Sequence, residues 1–114
     1  MSPPFDETDV VVALVTAPTE DAAVSLARGA VEAGVAACGN LVPGVRSIYA
    51  WKGEVHDDAE ILIVFKTTAA GFDRLREHVV AAHPYDTPEV IAIPVVAGHA
   101  PYLEWVATQV GGTP

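Results

Sequence analysis

The sequence has 114 residues, of which 51% are hydrophobic and 18% charged, and this fits one compact domain with a buried core. Fifteen acidic residues against six basic ones give a net charge of −9, which repels phosphate backbones and makes nucleic acid an unexpected partner. A single cysteine, Cys38, excludes an intrachain disulfide and multi-cysteine zinc motifs, so we expect a reducing compartment, the cytoplasm.

The first nine residues are acidic and rich in proline. They lack the basic and apolar regions of a secretory signal, and we predict a disordered tail over residues 1–9. No apolar run approaches the roughly 20 residues that a membrane-spanning helix needs, so a membrane is not an expected partner. We expect a single domain over residues 10–110.

The first half of this domain has the pattern of a strand, a helix and a long hairpin. Residues 10–17 are apolar without polar alternation, which predicts a strand covered on both faces. An apolar stripe at helical spacing follows and predicts a helix that ends near Gly34. Two long strands then flank a predicted turn at residues 51–54, and the Val-Pro-Gly sequence at 42–44 predicts a bulge or bend.

The second half predicts a helix, an edge strand and a terminal helix. The helix has an apolar face made of Phe72, Leu75, Val79 and Ala82. Residues 90–96 read as the last strand, which Pro94 restricts to a sheet edge or a bulge. A short helix should begin at Pro101 and bury Leu103, Val106 and Val110. The order β-α-β-β-α-β with a C-terminal helix predicts an α+β, ferredoxin-like fold.

The long hairpin predicts an oligomer. Strands of about 14 residues reach roughly 48 Å, whereas a globule of this length has a diameter of roughly 35 Å, so the hairpin should extend beyond its own domain. Such an extension would expose strand edges together with Ile48, Tyr49 and Trp51. Pairing with another chain would cover them, unless Pro43 folds the strand back.

The sequence HPYDTPEV at residues 83–90 places a histidine and two carboxylates between two prolines. One interpretation is a stiff turn, in which His83 caps helix carbonyls, Asp86 forms a turn with its own backbone and Glu89 makes a polar contact at the strand start. The other interpretation is a cation site. A helix C-terminus favours positive charge, and the side chains of histidine, aspartate and glutamate are of types that bind metal ions. The spacing by itself leaves both open.

Cys38 has no nearby base, and its apolar surroundings favour a small buried residue over a ligand or nucleophile. The chain also lacks a serine elbow, a phosphate-binding glycine loop and a zinc-protease helix motif. We therefore expect a protein that is not an enzyme and uses no organic cofactor.

Four segments together resemble the CutA divalent-cation-tolerance family over residues 10–110: AACGNLVPGVRSIYAWKGEV, ILIVFKTT, HPYDTPEVIAIPV and YLEWV. The resemblance implies a ferredoxin-like subunit that assembles as a tight homotrimer, similar in outline to nitrogen-regulatory PII proteins. The long hairpins would then pair across subunits, which agrees with the predicted extension.

The resemblance further implies a role in tolerance of copper and other divalent ions, with His83 in contact with the metal. Some members carry a cysteine where Val15 stands and a second histidine where Ala82 stands, so a pair of soft ligands is missing here. The ligands that remain for Cu²⁺ or another divalent cation are His83 with Glu89, Asp86 or Cys38, across a subunit boundary if need be. The alternative is a PII-like trimeric signalling or scaffold protein that binds a small ligand or a protein partner at intersubunit clefts.

Overall fold

The computed structural model describes residues 9–111, so the predicted tail lies outside the described residues except for Asp9. Its elements are β1 (Val10–Ala17), α1 (Glu20–Glu32), β2 (Cys38–Trp51), β3 (Glu54–Thr68), α2 (Phe72–Ala82), β4 (Val90–Pro94) and α3 (Ala100–Gln109). The four strands form one antiparallel sheet in the order β2-β3-β1-β4. The predicted α+β, ferredoxin-like order with a C-terminal helix is confirmed.

Helices α1 and α2 cover one face of the sheet. Strand residues alternate between faces, and every second residue of β1 from Val11 to Ala17 is buried. Opposite β1, Ile63 and Phe65 of β3 point to the same side. The main core joins these strand residues to the apolar stripes of the two helices, including Leu26, Ala30, Leu75 and Val79.

Helix α3 packs on the other face, but only at one end. Val10 lies on the opposite side of β1 from Ala13 and forms a small cluster with Ala37, Val106 and Val110. The rest of this side, which we call the open face, has no helix over it in the part of the chain that the structure describes. Its apolar residues are Val12, Leu14, Leu62, Val64, Ile91 and Ile93. In a single chain α3 covers only one end of this side of β1, where Val12 and Leu14 are half-buried, so coverage of both faces stays a prediction for this stretch.

The hairpin of β2 and β3 extends beyond the sheet, as predicted. Only residues 61–68 of β3 pair with β1, whereas residues 54–60 pair with β2 alone. The register of β2 shifts between Val42 and Val45, which confirms the bulge. At the tip, Lys52 and Gly53 both have positive φ angles of 51° and 81°, which is typical of a two-residue hairpin turn that follows the strand twist.

The end of α2 differs from the prediction. Leu75 and Val79 are buried, but Ala82 is exposed. The residue buried below Val79 is His83, four positions later on the same side of the helix, and its larger ring fills that space. Between residues 9 and 111, none of the helices is both long and apolar enough to span a membrane.

We expect Phe65→Ala to lower the free energy of unfolding by about 3–5 kcal/mol, because the ring is fully buried at the centre of the main core. Val24→Ala, on the exposed side of α1, should change it by about 0.5 kcal/mol or less. Urea titration at one fixed protein concentration measures both. Equal effects of the two substitutions would show that the core is not centred on Phe65.

Candidate functional site

The segment after α2 crosses the end of β1 on its way to β4. His83 is the C-cap residue of α2, and its backbone N–H bonds to the Val79 carbonyl at 2.8 Å. Its ψ angle of 141° is extended, as the following Pro84 requires. The helix therefore stops at this residue, and the chain continues to Val90, where β4 begins beside Val15.

Both ring nitrogens of His83 form hydrogen bonds. The backbone N–H of Tyr85 donates to Nδ1 at 3.0 Å, so Nδ1 carries the lone pair. Nε2 therefore carries the hydrogen, and it donates to the Thr16 carbonyl at 2.8 Å. The residue is only 8% exposed, and its ring also contacts the Tyr85 ring, with 4.8 Å between centroids. His83 thus ties α2 to β1, and the predicted capping of helix carbonyls is corrected to a bond with a strand carbonyl.

Tyr85 links this turn to the hairpin. Its hydroxyl donates to Oε2 of Glu60 at 2.7 Å, and the Glu60 residue is only 6% exposed. Burial, together with the hydrogen bond to Glu60 and its negative charge, raises the pKa of the Tyr85 phenol well above its ordinary value. Sequence reasoning missed Glu60, because nothing in the residues around it indicates that a carboxylate on the hairpin limb is buried.

A cleft of about 670 Å³ opens between the hairpin and the turn. Three aromatic side chains line it, from Tyr49, Trp51 and Tyr85. Its charged lining residues are Glu60, Asp86, Glu89 and Lys52. The lining therefore carries three carboxylates against one ammonium group.

The hairpin wall of the cleft is held by its own contacts. The Tyr49 hydroxyl donates to Oδ2 of Asp58 at 2.5 Å, and this bond raises the pKa of the Tyr49 phenol. The Tyr49 ring also stacks on His56, with 5.2 Å between centroids. On the opposite face of the hairpin, Arg46 forms a bidentate ion pair with Asp57, which lowers the pKa of that carboxyl group.

The four predicted metal ligands occupy two regions. Asp86 and Glu89 are exposed and line the cleft, whereas His83 is buried and is not among the residues that line it. Cys38 pairs with Lys66 at the other end of the sheet, where its sulfur is 3.7 Å from the Tyr102 hydroxyl. Cys38 is half-buried rather than fully buried. Across residues 9–111, no cluster of three or more histidine, cysteine, aspartate and glutamate residues is suited to hold a metal ion, so the ligand set stays a prediction.

The fold and sequence match a known family. A family model described as CutA1 divalent ion tolerance protein matches residues 11–109. The chain belongs to this CutA1 family. The resemblance seen in the four sequence segments is thereby confirmed.

CutA relatives are found in bacteria, plants and animals. The chain is 46% identical to the divalent-cation tolerance protein CutA of Thermus thermophilus over 88% of its own length and 97% of that protein. It is also 46% identical to the human protein CutA over 85% of its length, but spans only 54% of the human chain. The chain thus spans nearly all of the Thermus thermophilus protein and about half of the human protein.

Solved CutA structures share the fold. The Thermus thermophilus CutA1 structure matches with a TM-score of 0.87 and 45% identity, covering 90% of this chain and 99% of that one. The CutA1 structure from Oryza sativa matches with a TM-score of 0.88 and 42% identity, covering 93% and 99%. The family is named for tolerance of divalent ions and not for a catalysed reaction.

We expect Tyr85 to ionise last of the three tyrosines in an alkaline titration followed by phenolate absorbance. Because its pKa is raised on folding, its contribution to stability is complete below the pKa of an unfolded tyrosine and is lost as the pH rises through the folded value. Tyr85→Phe should remove the last step, and Glu60→Gln should move it to lower pH. Tyr102→Phe is the control, and loss of the last step in that variant would contradict the assignment.

Proposed function

We propose that this protein serves divalent-cation tolerance by binding a divalent ion, copper foremost, where the turn at residues 83–89 meets the cleft. Family membership supports a role with divalent ions, and the acidic lining of the cleft, along the turn that begins at His83, is the observation that carries the site. Asp86 and Glu89 are exposed there as oxygen ligands, and His83 is the nearby nitrogen ligand. Cys38 takes part only across a subunit boundary.

The hydrogen bonds of His83 make such binding weak. A metal ion at Nδ1 has to displace the Tyr85 N–H, which costs about 1 kcal/mol for a hydrogen bond of this kind. One imidazole and two carboxylates also leave part of a coordination shell to water or to a neighbouring subunit. A set of nitrogen and oxygen ligands without a specialised geometry binds Cu²⁺ more tightly than Ni²⁺ or Zn²⁺.

The proposal includes a PII-like homotrimer. The apolar open face of the sheet supports it, since Ile91 and Ile93 are 50% and 48% exposed in a single chain. The edge strands β2 and β4 and the extended hairpin, with Ile48 and Val55 exposed, are further surfaces for pairing. Packing three such faces together would cover them in a closed ring.

We place this binding protein in the cytoplasm, because its single cysteine suits a reducing compartment. It is proposed as a binding protein and not as an enzyme, which agrees with the name of its family.

A second candidate function is a PII-like signalling or scaffold role with a small ligand. The size of the cleft favours it, since about 670 Å³ lies in the range of small-molecule sites.

We expect His83→Ala to weaken Cu²⁺ binding by about 10-fold or more in calorimetric titration. His99→Ala, which removes an exposed histidine at the start of α3, should leave the isotherm unchanged. His83→Ala also leaves the Thr16 carbonyl without its bond and costs about 1–3 kcal/mol of stability. Asp86→Asn, at an exposed position, therefore tests the same site without that loss. Isotherms that match the wild type for both site variants would refute the site.

We expect light scattering to give three times the 11.9 kDa chain mass. Ile91→Asp should break the assembly because it puts a charge on the open face, whereas Val80→Asp on α2 should not. The two residues are matched in exposure, at 50% and 48%. The melting temperature of the wild type should rise with protein concentration. A single-chain mass for the wild type at micromolar concentration would rule out the trimer.

A further inference from the structure

The cleft already holds a cation against an aromatic ring. Lys52 sits at the hairpin tip with a left-handed φ of 51°, and its ammonium nitrogen lies 5.8 Å from the centre of the Trp51 ring. This is the distance at which an ammonium group is attracted to the face of an indole. Both residues line the cleft, so a bound ammonium ligand would meet the same ring.

Glu60 presents to the cleft a carboxylate with a hydrogen bond to only one of its two oxygens among residues 9–111. The residue is 6% exposed, and Tyr85 is its one hydrogen-bond donor among residues 9–111, bound to Oε2. A carboxylate has room for several donors, and a cationic donor forms the stronger, charge-assisted hydrogen bond. The remaining oxygen, Oε1, is thus suited to an ammonium group that enters the cleft.

The charge of the lining selects the class of ligand. Three carboxylates and one ammonium group repel phosphates and other anions, so the nucleotide class is disfavoured here. A single metal ion would not use the aromatic walls. An organic cation uses both the carboxylates and the aromatic walls. Its charges pair with the carboxylates, and its methylene groups pack on Tyr49 and Trp51.

We propose that this cleft binds an aliphatic polyamine, with one ammonium group at Glu60 and another at Asp86 or Glu89. The methylene chain between them lies along the aromatic wall that Trp51 provides. The inference deepens the small-ligand candidate and rests on it, but it does not depend on copper binding. Lys52 then acts as an internal competitor, because its ammonium group lies over the ring that the ligand needs.

The test is a calorimetric titration of the full-length protein with spermidine, in the presence of EDTA so that no metal ion takes part. Glu60→Gln keeps the side-chain volume and an oxygen acceptor for Tyr85 but removes the charge, and it should weaken binding by about 10-fold or more. Glu32→Gln makes the same chemical change at an exposed position on α1. It should alter the affinity by about twofold or less, because surface charges are screened.

A second pair of variants tests whether Lys52 competes with the ligand. Lys52 is exposed, so its substitution should leave folding unchanged. Lys52→Gln should tighten spermidine binding by roughly threefold or more, since it frees the Trp51 ring and removes a positive charge. Arg28→Gln removes an equal charge from the exposed side of α1 and should raise the affinity by less than about twofold.

Three results would overturn the proposal. One is the absence of spermidine binding by the wild-type protein in its native assembly. Another is an equal loss in Glu60→Gln and Glu32→Gln, which would show attraction to the overall negative charge alone. The third is an equal gain in Lys52→Gln and Arg28→Gln. Because metal is excluded from this titration, none of these results bears on the copper site, and a negative copper experiment leaves the polyamine site standing.

Discussion

The hydrogen bond from His83 Nε2 to the Thr16 carbonyl holds the segment on which the candidate site depends. It joins the end of α2 to the end of β1, and the Tyr85 N–H on Nδ1 then sets the course of the turn. With the turn in place, the Tyr85 hydroxyl reaches Glu60 on the hairpin. One imidazole therefore positions the two walls of the cleft relative to each other, and the metal and polyamine proposals both rest on that geometry.

The histidine has a double role in this arrangement. As a structural residue it uses both nitrogens, and these two hydrogen bonds fix the course of the turn. As a metal ligand it has to give up one of these bonds, so a cation at His83 and the tight turn compete with each other. The exposed carboxylates of Asp86 and Glu89 are free of that conflict, and they are also the groups that a polyamine would use.

The surfaces that a single chain leaves uncovered lie next to the cleft. The open face carries the apolar residues of β1, β3 and β4, and the hairpin that continues β3 beyond this face forms one wall of the cleft. An assembly that covers the open face would therefore place a neighbouring subunit close to the ligand. This connects the proposed trimer to the proposed binding, because the same hairpin serves both.

Much of the fold was determined by local sequence. The strand at Val10–Ala17, the bulge near Pro43, the turn at Lys52 and Gly53 and the helix stop at His83 all follow from periodicity or from the backbone limits of proline and glycine. The extended hairpin followed from strand length alone. These features depend on neighbours within a few residues, so the sequence by itself was sufficient for them.

The tertiary structure alone decided the chemistry of the site. The acceptor of His83 lies 67 residues away along the chain, the acceptor of Tyr85 lies 25 away, and the Cys38 partner Tyr102 lies 64 away. The burial of Glu60 depends on the position of Tyr85 after the turn. The residues next to Glu60 in the sequence do not predict that position. Hydrogen bonds and burial between distant residues are set by how the layers pack, and so they become known only once the chain is folded.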